Sequence, residues 1–108
     1  MSDIDPNQAV DFIKTNAPLY AQAKADRIYL ENYLKVAKSK EINKSDASTQ
    51  GGKDADAYAS QAYKEILDGL KVAVEQEERL KWLLTAATNR IEIWRTQQFT
   101  LRAEMKNL

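Results

Sequence analysis

The chain has 108 residues, balances 16 Lys and Arg against 16 Asp and Glu, and is 44% hydrophobic with three Gly and two Pro. That composition fits one domain of long helices and excludes both a β-sandwich and a disordered chain. It contains no Cys and no His, which removes disulfides, thiol nucleophiles, the commonest general base and the commonest transition-metal ligand.

The segment from Met1 to Asn7 is acidic and lacks the basic and apolar regions of a signal peptide. Apolar runs are too short for a membrane span, so a soluble, cytoplasmic protein with no membrane contact is expected. Charge is unevenly spread. Residues 1–78 hold ten basic and fourteen acidic side chains, whereas residues 79–108 hold six basic and two acidic ones.

Asp5-Pro6 reads as a helix start, with Asp as the cap and Pro at the first helical position. A helical arm is predicted over 6–43, kinked or briefly broken near Pro18, where Asn16 could cap a new helix. Leu19, Ala23, Leu30, Tyr33, Leu34 and Ala37 form its apolar stripe. Ile28, Tyr29 and Val36 widen the stripe, which predicts contacts on more than one side. Residues 44–54, rich in Ser, Asp and Gly, are predicted to be a loop. Asp54 or Asp56 would then cap a long helix over 55–106.

That helix carries a heptad seam: Tyr63, Ile66, Leu70, Ala73, Glu77, Leu80, Leu84, Ala87, Ile91, Trp94, Gln98, Leu101, Met105 and Leu108. Spacing of three and four along a helix places all of them on one face, as in a coiled coil. Gly69 beside the seam suggests close helix packing. Glu77 and Gln98 either fix register or oligomer state, or lie at the edge of a drifting seam. The predicted fold is therefore all-α, a long antiparallel helical hairpin.

Pairing outward from the loop sets residue 28 against about 69 and residue 6 against about 91. The seam beyond Ile91 then lacks an intrachain cover. Burying each large apolar side chain there is worth about 1.5–3 kcal/mol. A homo-oligomer, dimer or higher, is expected, with Leu84, Ile91, Trp94, Gln98, Leu101 and Met105 at its interface.

No catalytic constellation is present, so the chain is read as a non-enzyme with no cofactor and no metal. Gly51-Gly52-Lys53 lacks the rest of a phosphate loop, and the spacing of Asp46, Asp54 and Asp56 does not match an EF-hand. Glu75, Glu77, Glu78, Arg79 and Lys81 read as surface ion pairing. Tyr20, Tyr29, Tyr33, Tyr58 and Tyr63 could stack on bases, although tyrosines at helical spacing more often serve core or interface roles. Arg90, Arg95, Arg102 and Lys106 are the candidate contacts to nucleic acid or to a partner.

Ala57-Tyr-Ala-Ser-Gln-Ala-Tyr-Lys-Glu-Ile-Leu-Asp-Gly-Leu70, Ala73-Val-Glu-Gln-Glu-Glu78 and Ile91-Glu-Ile-Trp-Arg-Thr-Gln-Gln98 resemble a family of small helical phage proteins. These are encoded in early regions near recombination and replication genes, and mostly have no assigned activity. The resemblance spans residues 57–98. It implies a phage or prophage origin, a role in the host-cell cytoplasm, and no catalytic residues. The expected function is binding of a protein partner, as inhibitor or adaptor of a host or phage DNA-metabolism or defence factor. The alternatives are a DNA-binding accessory of recombination or replication, with weak nucleic-acid contact, and a structural scaffold or assembly chaperone.

Overall fold

The computed structural model describes residues 3–107, all of whose regular structure is α-helical. Helix α1 runs Pro6–Lys44, α2 Gln50–Tyr58 and α3 Gln61–Lys106. The chain divides into two compact units, one of Met1–Ala21 with Glu78–Leu108, the other Gln22–Glu77.

α1 begins as its sequence predicts. The Asp5 carboxylate accepts from the Asn7 amide at 2.9 Å, and Pro6 is the first helical residue. Of the two outcomes expected at Pro18, a kink or a brief break, the break does not occur: α1 passes through it. Pro18 is exposed, so the carbonyl it leaves without a partner lies on the solvent side, where water can satisfy it. Asn16 starts no new helix. Its side-chain amide donates instead to the Phe12 carbonyl at 2.9 Å.

The predicted loop is shorter than 44–54. Thr49 is extended (φ −117°, ψ 154°) and its Oγ1 accepts from the Gly52 amide at 3.0 Å. That cap draws Gly51, Gly52 and Lys53 into the first turn of α2. Asp54 and Asp56 cap nothing: they accept from the Gln50 side chain at 3.1 Å and from the Ser45 hydroxyl at 2.5 Å.

The predicted long helix is also interrupted, at Ser60. Its hydroxyl donates to the Ala57 carbonyl at 2.7 Å and accepts from the Tyr63 amide at 3.2 Å, ending α2 and capping α3 together. Counting back from Tyr63, the heptad seam would fall on Ala59 and then on Asp56, so its apolar run ends at this corner. From Gln61 onward α3 is unbroken, through Gly69 included.

In the unit Gln22–Glu77, α1 and α3 run antiparallel. A methyl built on Gly69 would meet Leu30 Cδ1 at 3.7 Å, close to the expected pairing of 28 with 69. That is ordinary contact distance, so close packing does not require a glycine at 69. In the other unit, Gln8, Ala9 and Phe12 share a cavity of about 300 Å³ with Leu83, Ala86, Ala87 and Arg90.

Among the described residues the buried apolar ones are Ala9, Ala23, Ala37, Ala57, Ala73, Leu80 and Ala87, and no large side chain is fully enclosed. Ala9, Ala23 and Ala37 repeat every two heptads along α1, and Ala73, Leu80 and Ala87 every heptad along α3. Small side chains at those positions let the helices approach closely, while the larger seam residues sit half-buried at the flanks. Along α3 the seam from Tyr63 to Gln98 is buried or half-buried throughout.

Candidate interaction surfaces

Among the described residues no three His, Cys, Asp or Glu side chains gather into a possible metal site, and no helix is long and apolar enough to cross a membrane. What the fold presents instead is a set of uncovered apolar rows.

The first row is the distal seam. Ile91, Trp94 and Gln98 are half-buried, whereas Leu101 and Met105, the latter 63% exposed, stand in water. A groove of about 420 Å³ beside them is lined by Thr96, Gln97, Gln98, Thr100, Leu101 and Glu104, all from α3. α1 contributes no wall there. Leu84 differs from the other expected interface residues, because it shares a cavity with Tyr20 of α1. Leu108 lies outside the described residues.

A second row escaped the sequence reading. Trp82 and Ile93, eleven residues apart, lie on the face of α3 turned away from the seam, whereas Ala86 and Asn89 between them line the cavities that α3 shares with α1. Trp82 is 63% exposed and Ile93 is half-exposed, with Lys81 Nζ 5.6 Å from the centre of the Trp82 ring. The spacing was readable beforehand; the continuous heptad seam drew attention to the opposite face.

On α1, Tyr29 and Tyr33 stack with centroids 5.9 Å apart, and Lys40 Nζ lies 5.7 Å from the Tyr33 ring centre. Ile28 and Val36 are nearly half-exposed and Tyr29 more so, so the wider stripe expected on this arm is only partly covered by the described residues. Tyr58 meets Tyr63 edge to face at 5.3 Å, and Lys38 donates to the Tyr58 hydroxyl at 2.7 Å. That hydrogen bond holds Lys38 above the ordinary lysine range.

The candidate basic contacts do not form one face. Arg90 lies about 140° around the helix from Arg95 and lines the cavity with Gln8 and Phe12. Arg95 is held by Glu92 at 3.4 Å. Arg102 and Lys106, both exposed, share the Arg95 side of α3.

Glu77 is only 8% exposed, inside the seam. Arg27 grips both of its carboxylate oxygens, through Nε and through Nη2, the latter at 3.1 Å. The guanidinium also reaches Glu31 at 2.9 Å. Glu77 first and Glu31 second hold Arg27 firmly in its charged form.

No protein-family model matches the chain, and no similar curated protein or solved structure was found.

Proposed function

We propose that this chain is a non-enzymatic phage protein that works by binding a protein partner, as inhibitor or adaptor of a host or phage DNA-metabolism or defence factor. The observation that carries the reading is the outer row of α3, where Trp82 and Ile93 are presented to water at helical spacing. Tryptophan in such a position supplies large contact area at small entropic cost, and binding hot spots are enriched in it. An apolar helix face of this kind fits a groove on another protein and needs no reactive side chain. The distal seam supports a second part of the reading, that the protein acts as a homo-oligomer in the host cytoplasm.

A pull-down from host lysate tests the proposal. Wild type is compared with Trp82→Glu/Ile93→Glu, with and without nuclease. A protein captured by wild type, lost in the variant and indifferent to nuclease supports the reading. Recovery of nucleic acid by both, abolished by Arg95→Ala/Arg102→Ala, would favour a DNA-binding accessory instead.

A further inference from the structure

We infer that residues 93–106 of α3 pair antiparallel with the same residues of a second copy, tail to tail. This rests on the self-association part of the proposed function and specifies its geometry.

α1 starts at Pro6, and the cavity that joins Gln8 to Arg90 sets that start at about the level of residue 91. Past this level the seam face of α3 continues with Trp94, Gln98, Leu101 and Met105, and among the described residues no helix continues the lane of α1. A second α3 running in that lane has the direction of α1. In antiparallel heptad packing the two kinds of seam position alternate across the interface. Trp94 then meets the partner's Met105, and Gln98 meets the partner's Leu101. Both pairs recur by the two-fold axis, so every layer is filled from residues now half or fully exposed.

Charge favours the same arrangement. Asp3, Asp5 and Asp11 precede the first basic residue, Lys14, whereas residues 93–106 carry Arg95, Arg102 and Lys106 against Glu104. In the tail-to-tail register the partner's Lys106 falls beside residue 93, about two residues, or roughly 3 Å, past the level at which α1 starts; Asp5 caps that start and Asp3 precedes it, both exposed. The partner's Arg102 lies about four residues, or roughly 6 Å, further along. Arg95, which faces that Arg102, is already neutralised by Glu92 at 3.4 Å. A parallel pair in register would set Arg90 beside the partner's Arg95 and leave the N-terminal acids unused.

The absence of Cys permits a clean test. In Trp94→Cys/Met105→Cys the two thiols of one chain lie eleven residues, about 16 Å, apart, too far for an internal disulfide. The expected result is a covalent dimer on oxidation of the double variant and none from either single variant. Covalent dimer from Met105→Cys alone would mean parallel pairing and would overturn this register while leaving self-association intact. A wild-type protein that stays monomeric by light scattering would remove both. Because loss of Trp94 itself weakens packing, a charge exchange gives a second reading. Lys106→Glu should weaken dimerisation roughly three- to ten-fold, and Asp3→Lys should restore it. An unchanged dimer constant in Lys106→Glu would refute the proposed contact.

Discussion

Arg27 and Glu77, fifty residues apart in the chain, form a two-pronged ion pair that ties α1 to α3. Both prongs engage a carboxylate that is only 8% exposed, so the pair specifies which residues of the two helices face each other. Glu77→Ala should cost about 1.5–3 kcal/mol, the range for hydrogen bonds to charged groups. Arg27→Ala should destabilise more, because it strands the buried charge. The double variant Arg27→Leu/Glu77→Leu should recover most of the loss. Urea unfolding of the four proteins checks the ordering; equal midpoints for Arg27→Ala and wild type would show that the pair contributes nothing.

The three glycines should answer differently to alanine. A methyl at Gly51 meets open space, and at Gly69 it meets Leu30 Cδ1 at 3.7 Å. Either change should stabilise by about 0.5–1 kcal/mol, through helix propensity alone. At Gly52 the methyl would stand 2.9 Å from Ala47 Cβ and 3.1 Å from Thr49 Oγ1. Gly52→Ala should therefore destabilise α2 by about 1–3 kcal/mol. Thermal melts of the single variants would reveal the sign of each.

Ser60 serves two helices, so its loss should be felt twice. Ser60→Ala removes the cap of α3 and the bond to the Ala57 carbonyl, at about 1–2 kcal/mol. Ser60→Asp, which can still cap α3, should recover part of that. If Ser60→Ala melts with wild type, the corner is held by something else.

Lys38 supplies a pH dependence whose sign is fixed. Its folded-state pKa is raised above the ordinary value of 10.5 by donation to the Tyr58 hydroxyl. The stabilisation it provides is thus complete below that ordinary value and lost as pH rises through the higher folded one. Lys38→Met should be less stable than wild type at neutral pH, and the gap should close in strong alkali. A gap that widens above pH 10.5 would contradict the assignment.

Self-association should depend on the distal seam. Trp94→Glu and Leu101→Glu should each shift the light-scattering mass toward monomer. Phe99→Glu is the control. Phe99 is 73% exposed but lies about 100° around the helix from Gln98, off the seam, and the mass should not change.

Helical content, the start at Pro6 and the seam from Tyr63 to Gln98 were legible in the sequence, because all follow from local capping and a repeat of seven. The corner at Ser60 was not. Serine there competes for the backbone through two hydrogen bonds that periodicity cannot register. Gly51-Gly52 misled because composition suggests a loop, whereas Thr49 caps the turn and draws both glycines into it. Pro18 left a kink and a brief break both open, and α1 runs on through it because a proline facing water need not break a helix. Of the candidate surfaces, the distal seam followed from arm lengths. The partnership of Arg27 with Glu77 did not, since a pairing over fifty residues depends on how two helices meet.

The alanine interior carries a consequence for hydrogen exchange. With no large side chain fully enclosed among the described residues, none of the three helices holds a plug of packed bulk that must be withdrawn before its amides meet solvent. Protection should be shallow and graded rather than stepped. It should peak where Leu80 is buried one turn from the clasped Glu77 and decline along α3 toward Arg102, where every residue is exposed. Whatever binds at either end of that gradient would deepen it, so an exchange map recorded with and without a partner would locate the contact amide by amide.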